Sequence, residues 1–198
     1  MVCVLALFFL GLGSSQAAPD FWSVSGYARP MLIPGAYGHD DWRAVGGVRV
    51  LRRGSVLVGG ALDFTSAESG LLSSSAQHLH ASGNCGVSLP LTDSLRLDLL
   101  GEMGGHLVFG VHGTFPGNCD GQSCNYGAPL KLVPFVGALP SVELSLGRRF
   151  TAGVGAVARF DILQLEPALW TDAGAPAFSG TGFGRFSYGG DVHVSVRF

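Results

Sequence analysis

Apolar side chains recur at every second position over stretches of ten residues and more, and this period constrains the fold more than any other feature of the chain. In 78–91, Leu79, Ala81, Gly83, Cys85, Val87, Leu89 and Leu91 alternate with His78, His80, Ser82, Asn84, Gly86 and Ser88. In 94–109, Leu95, Leu97, Leu99, Gly101, Met103, Gly105, Leu107 and Phe109 alternate with Ser94, Arg96, Asp98, Leu100, Glu102, Gly104 and His106. Between 150 and 162, Phe150, Ala152, Val154, Ala156, Ala158, Phe160 and Ile162 oppose Thr151, Gly153, Gly155, Arg159 and Asp161. The chain ends on Tyr188, Gly190, Val192, Val194, Val196 and Phe198 against Ser187, Asp191, His193, Ser195 and Arg197. A period of two belongs to a β-strand, whose successive side chains point to opposite faces. Globular strands usually have about five or six residues. These runs instead match the roughly 9 to 11 residues with which a tilted strand crosses a bilayer.

Composition agrees. Only 13% of the residues are charged, against about 25% in ordinary soluble domains. Hydrophobic residues make up an ordinary 47%, and 31 of the 198 residues are glycine, roughly double the usual share of ~7%. No stretch after residue 20 is apolar for long enough to form a spanning helix, which needs about 20 residues. Twelve basic and 14 acidic side chains nearly cancel, so no basic surface for nucleic acid is expected.

The first segment, Met1 to Leu12, is apolar and is followed by Gly-Ser-Ser-Gln-Ala-Ala18. It is too short for a membrane span, and Ser15 and Ala17 stand where a signal peptidase recognises small residues. Residues 1–17 are therefore expected to be a signal peptide and 18–198 the mature domain, although no Lys or Arg precedes the apolar run. Export removes Cys3 and leaves Cys85, Cys119 and Cys124. Cys119 and Cys124 flank Asp-Gly-Gln-Ser in a Gly- and Asn-rich stretch. In an oxidising compartment a short disulfide is the favoured reading, since a zinc site needs two further ligands that this stretch lacks.

Weaker alternation at 21–32, 42–52, 55–66 and 130–146 brings the count to eight strands. Pro134 and Pro140 predict a bulge or partial break in the sixth, because proline removes a ladder donor. Short links (Arg52-Arg53-Gly54, Leu91 to Ser94 and Gly147-Arg148-Arg149) follow strands two, four and six. Longer ones, the longest at roughly 110–129 and 163–181, follow the odd strands. Short turns on one side and long loops on the other are the outer-membrane arrangement, with turns periplasmic, loops extracellular and both termini on the turn side. The expected fold is all-β: an eight-stranded antiparallel up-and-down transmembrane β-barrel. Its last strand must pair with the first around Trp22–Ala28 to close the cylinder. The combination favours this barrel over a soluble periplasmic β-sandwich or lipocalin-like barrel.

This pattern resembles the small outer-membrane β-barrels of Gram-negative bacteria, of the OmpA transmembrane-domain, OmpX and OmpW kind. The resemblance covers nearly all of the mature chain as a pattern. Its most specific part is the C-terminus, where Val192, Val194 and Val196 alternate toward a terminal Phe198. In that family such an ending is the signal read by the barrel-assembly machinery. The resemblance therefore implies that machinery and outer-membrane lipid as partners, the bacterial outer membrane as the location and no cofactor.

Strand parity turns Arg43, Arg49, Arg96, Arg159 and Arg185 to the inner face, with Asp63, Asp98, Glu102, Glu143 and Asp161. Balanced signs predict a cross-lumen charge network, centred on Arg96, Asp98, Glu102, Arg159 and Asp161. A barrel of about eight strands is just wide enough for side chains to fill it, so a wide aqueous pore is not expected.

Three motifs point elsewhere. Gly153-Val-Gly155-Ala-Val-Ala158 matches a dinucleotide fingerprint as a string, but it lies inside a strand with no helix after it. His78, His80 and Ser82 share a face and by register approach His106 or Glu102, as a metal or hydrolytic cluster would. This His-x-Ser string, repeated at His193-Val-Ser195, resembles that of outer-membrane lipid A deacylases. Those sites face lipid, whereas both strings here turn inward and lack an acidic partner at the family spacing. Histidines satisfied in a polar lumen are the favoured reading. Aromatics near strand ends or in loops (Phe21, Trp22, Trp42, Phe64, Phe109, Trp170, Phe178, Phe183 and Phe186) are candidates for interfacial girdles or loop packing.

The favoured function is a non-enzymatic barrel with a largely filled lumen, acting structurally or through its extracellular loops on an unspecified partner. A narrow porin-like channel comes second. A lipid-modifying enzyme using His80 and Ser82 comes third.

Overall fold

The computed structural model describes residues 20–33, 41–69, 74–119, 122–128, 131–162, 168–170, 176–179 and 186–198; for 33, 41, 66–69, 74–76, 108–119, 122–128, 131, 168–170 and 176–179 it describes the backbone alone. The expected signal peptide, residues 1–17, lies outside the described residues, as does Arg185.

Eight long strands build the wall: β1 (Phe21–Ile33), β2 (Asp41–Arg53), β3 (Val56–Ser69), β4 (Ser74–Pro90), β5 (Leu95–Cys119), β7 (Lys131–Leu146), β8 (Phe150–Asp161) and β11 (Phe186–Arg197). Each pairs antiparallel with its neighbours. The ring is closed by β1 and β11, from Ser23↔Arg197 to Leu32↔Tyr188, so the expected contact around Trp22–Ala28 is made. Closure leaves the wall without a sheet edge, which a bilayer would not tolerate.

The interior is polar and the exterior apolar. Val192 and Val194 are each 55% exposed, while the inward-facing Arg29 and Arg49 are 1% exposed. Outward-facing aromatics gather near the two ends: Trp22, Phe150 and Phe198 by the short turns, and Trp42, Phe64, Phe160, Phe186 and Tyr188 by the long loops. Two aromatic bands flanking an aliphatic belt are what the two bilayer interfaces select. Inside, Met31, Val45, Leu51, Leu57, Leu100, Leu139 and Val157 form an apolar cluster that shares the lumen with the charges.

Three features differ from the sequence-based expectation. Pro134 and Pro140 do not break β7, which pairs with β5 in one register from Leu95↔Leu144 to Val108↔Lys131. Both prolines sit at outward positions, and the Pro134 carbonyl still accepts from Ile162 N at 2.9 Å. Only the ladder to β8 skips a step, between Ala138↔Ala158 and Ser141↔Gly155, without a change of register. Second, Arg52 and Arg53 belong to β2, so the first turn is Gly54–Ser55 alone. Third, the segment expected as a long loop at 110–129 is largely strand. β5 continues to Cys119 and pairs with β6 (Gln122–Ala128) from Val111↔Ala128 upward, whereas its pairing with β4 stops at Ser75↔His112. The result is a two-stranded ribbon standing beyond the barrel wall. Between β8 and β11, β9 (Ala168–Trp170) and β10 (Pro176–Ser179) form a second small hairpin.

Among the short turns, Gly147 has φ of 87°, a conformation that costs glycine alone nothing. That turn carries Arg148 and Arg149, both exposed.

Candidate functional site

The lumen gathers most of the chain's buried polar chemistry. Among the described residues, five buried arginines (Arg29, Arg43, Arg49, Arg53 and Arg159) face five buried carboxylates (Asp63, Asp98, Glu102, Glu143 and Asp191). Period-two alternation puts them there: each occupies an inward register position, and every wall strand contributes a polar group.

Nearest the short turns, Arg53 bridges two strands. Its Nη1 lies 2.7 Å from Asp98 Oδ2, its Nη2 pairs with Glu143, and its Nε donates to Ser23 Oγ at 2.7 Å. Ser88 Oγ donates to the other Asp98 oxygen at 2.6 Å. Farther in, His193 is held between Asp191 Oδ2, 2.7 Å from Nδ1, and Glu143 Oε1, 2.9 Å from Nε2. Gly153 makes room for this ring, since a Cβ there would stand 2.4 Å from His193 Nε2. The glycine that opens the nucleotide-like string is thus a packing requirement of the lumen.

Arg29 Nε donates to Asp191 Oδ1 at 2.7 Å, and its guanidinium stacks 4.1 Å from the Tyr27 ring centroid. Tyr27 in turn donates to Asp63 Oδ2 at 2.9 Å. Arg159 completes the crossing: its Nη2 lies 2.7 Å from Asp63 Oδ2, its Nε pairs with Glu102, and it covers the Phe135 ring at 4.8 Å. Two carboxylates on one planar guanidinium suit the fork of donors that arginine presents.

At the long-loop mouth, His78, His80 and His106 surround a cavity of about 50 Å³ that also touches Arg43, Arg159 and Asp161. This holds no more than a few waters. His80 and His106 rings lie 5.0 Å apart, the approach that strand register anticipates. His80 Nδ1 is 2.5 Å from Asp63 Oδ1, and His106 Nδ1 is 3.7 Å from Asp161 Oδ1. No group of three or more potential ligands is placed to hold a metal ion among the described residues. Among the described residues neither His-x-Ser string forms a dyad: Ser195 Oγ shares a hydrogen bond with Ser25 Oγ at 2.8 Å, and His80 Nδ1 is engaged by Asp63 and Arg159.

Of the five residues expected at the centre of the charge network, Asp98, Glu102 and Arg159 lie in the buried ion pairs just described. Asp161 sits above them, half-buried beside His106. Arg96 lies at the opposite rim, with its guanidinium 6.0 Å from the Phe21 ring. Position along the strand separates it from the rest, since parity fixes the face but not the depth. The expected charge network left out Arg29, Arg53 and Asp191, while His193, expected to face the lumen, does so between two carboxylates. The signal was present: Arg29 shares parity with Ser23, Ser25 and Tyr27, and Arg53 with Arg43 and Arg49. Val192 and Val194 face outward, Val196 is half-buried, and Phe198 N donates to Trp22 O at 2.9 Å. Cys119 and Cys124 lie at the tip of the β5–β6 ribbon, with side chains outside the described residues.

Together these features define a closed eight-stranded antiparallel barrel with an apolar outside and an ion-paired interior. Among solved structures, Neisserial surface protein A has this fold: TM-score 0.55 at 10% identity, covering 93% of this chain and all of that one. The N-terminal β-barrel domain of OprF from Pseudomonas aeruginosa (TM-score 0.49, 8% identity, 92% and 100% coverage) and Ail of Yersinia pestis (TM-score 0.49, 14% identity, 91% and 99%) also align. No family model and no curated protein sequence matches the chain.

Proposed function

We propose that the protein is a non-conducting, non-enzymatic outer-membrane barrel that displays its long-loop end, above all the β5–β6 ribbon, to the cell exterior. The observation that carries this reading is the cross-lumen set of ion pairs. Arg29, Arg49, Asp98, Asp191 and His193 are at most 2% exposed, which supports a lumen closed to a continuous water path. The aliphatic belt and aromatic bands support a bilayer location. The short turns then face the periplasm with both termini, and outer-membrane lipid and the barrel-assembly machinery are the expected partners, the latter engaging Val192, Val194, Val196 and Phe198. A Cys119–Cys124 disulfide would tie the tip of the ribbon. The histidines are occupied by carboxylates or buried in the lumen, which speaks against a lipid-modifying site.

The test is reconstitution of purified protein into planar bilayers. The expected result is no conductance steps, and liposomes that do not swell in small sugars. Regular single-channel steps would overturn the closed-lumen reading in favour of a narrow channel. On cells, replacing 113–128 by a tight turn should preserve the heat-modifiable folded band and remove surface-dependent adhesion or binding. Adhesion that survives the replacement would count against the ribbon.

A further inference from the structure

Six of the twelve basic residues stand at the short-turn end: Arg52, Arg53, Arg96, Arg148, Arg149 and Arg197. Two of them have carboxylate partners, Arg52 with Asp20 at 2.5 Å and Arg53 with Asp98 and Glu143. Among the described residues, Arg96, Arg148, Arg149 and Arg197 make no such ion pair. These four arginines, with Phe21 and Phe198, line a cleft of about 710 Å³ at the short-turn mouth.

The cleft is partly preorganised. Arg197 Nη2 donates to Ser145 Oγ at 2.7 Å, and its guanidinium lies 5.1 Å from the Phe21 ring, with Arg96 at 6.0 Å from the same ring. Arg197 Nε is buried and has no partner within the protein. Four guanidiniums without a carboxylate call for an anion, and the planar fork of donors fits the oxygens of a phosphate. The surroundings indicate which phosphate. From Phe198 at the cleft's edge the outer wall continues into Trp22, Leu146 and Phe150, all at least 50% exposed. A lipid whose chains lie along these side chains brings its headgroup to the arginines. A free anion or an acidic polymer would have no use for that apolar lip.

We propose that this cleft binds the phosphate of an anionic phospholipid headgroup, held by Arg96, Arg148, Arg149 and Arg197 at the short-turn rim. The inference rests on the membrane reading above. It predicts a lipid preference located at one end of the barrel, with the turn Gly147–Arg149 as its most accessible element.

Purified protein in phosphatidylcholine vesicles, with tracer spin-labelled phosphatidylglycerol or phosphatidylcholine, tests it by the motionally restricted fraction. Phosphatidylglycerol should associate about fivefold or more over phosphatidylcholine, the factor that one arginine near a charged surface supplies. In R148Q/R149Q the ratio should fall toward one, with the heat-modifiable band retained. A wild-type ratio near one, or an unchanged ratio in the variant, overturns the site. Millimolar inorganic phosphate at constant ionic strength should leave the preference intact; its loss would assign the cleft to free phosphate and overturn the lipid source. If the variant does not fold, wild type in roughly 1 M NaCl, where the Debye length is ~3 Å, decides: the preference must collapse, and persistence overturns the proposal. Wild-type protein whose boiled and unboiled mobilities agree would instead overturn the membrane reading itself.

Discussion

Arg159 holds two buried carboxylates, Asp63 and Glu102, and its loss would deprive both of their shared cation. Breaking a buried pair by removing one partner costs about 3–5 kcal/mol, because the remaining charge is uncompensated. Arg159→Met is accordingly expected to lower the unfolding free energy by that amount, measured by urea titration in lipid vesicles. Asp63 retains Arg29, Tyr27 and His80 as neighbours, whereas Glu102 keeps only Arg29 at 3.8 Å, so Glu102 depends more on Arg159. Arg159→Met with Glu102→Gln should therefore cost less than Arg159→Met alone. Equal or greater loss in the double variant would show that the arginine acts by packing on Phe135 rather than by charge. Residue parity made Arg159, Glu102 and Asp98 legible as lumen groups without any structure. It could not tell that Arg96, on the same face of the same strand as Asp98, lies too near the end to join them. Depth requires the register with neighbouring strands, which one sequence does not reveal.

At the scale of the element, each wall strand is a two-sided object, and β11 shows both sides within a few residues. Val192 and Val194 meet the surroundings while Asp191 and His193 close the lumen. Val192 lies in the middle of β11, opposite Ala28 on β1 and Val154 on β8. A cation there is forced into hydrocarbon. Val192→Arg is expected to destabilise the barrel by about 2–4 kcal/mol, the cost of an arginine at the midplane of a lipid-facing strand. The readout is again the urea midpoint in bilayers. A change below ~1 kcal/mol would place this strand near an interface or outside a membrane. The wall strands were readable because alternation survives along their length, including the four where it is weaker. The ribbon was not. Gly110, Gly113, Pro116 and Gly117 dilute the pattern in 110–119, and turn-forming residues there read as loop although Val111, Thr114 and Phe115 favour strand. What pairs this stretch is β6, a partner visible only in the fold.

For the whole molecule, closure makes the eight strands one cooperative unit. β11 carries two ladders, to β1 and to β8, together with the lumen groups Asp191 and His193. Removing Asp191–Phe198 would leave β1 and the lower part of β8 with unpaired backbone groups inside the bilayer. Each unsatisfied group there costs several kcal/mol, because no water is available to replace the lost partner. It would also deprive Arg29 and Arg49 of the Asp191 carboxylate and Glu143 of His193. The loss is therefore not confined to an edge. Truncation after Gly190 should abolish the heat-modifiable band altogether, with the chain becoming protease-sensitive throughout rather than at its new end. Removal of a comparable length from the ribbon should do neither, because beyond His112 the ribbon pairs only with itself among the described strands. A truncated chain that still migrates as a folded species would mean that seven strands can close without β11. The ion pairs to Asp191 would then be dispensable, and the closed lumen would have to be explained by the apolar cluster alone.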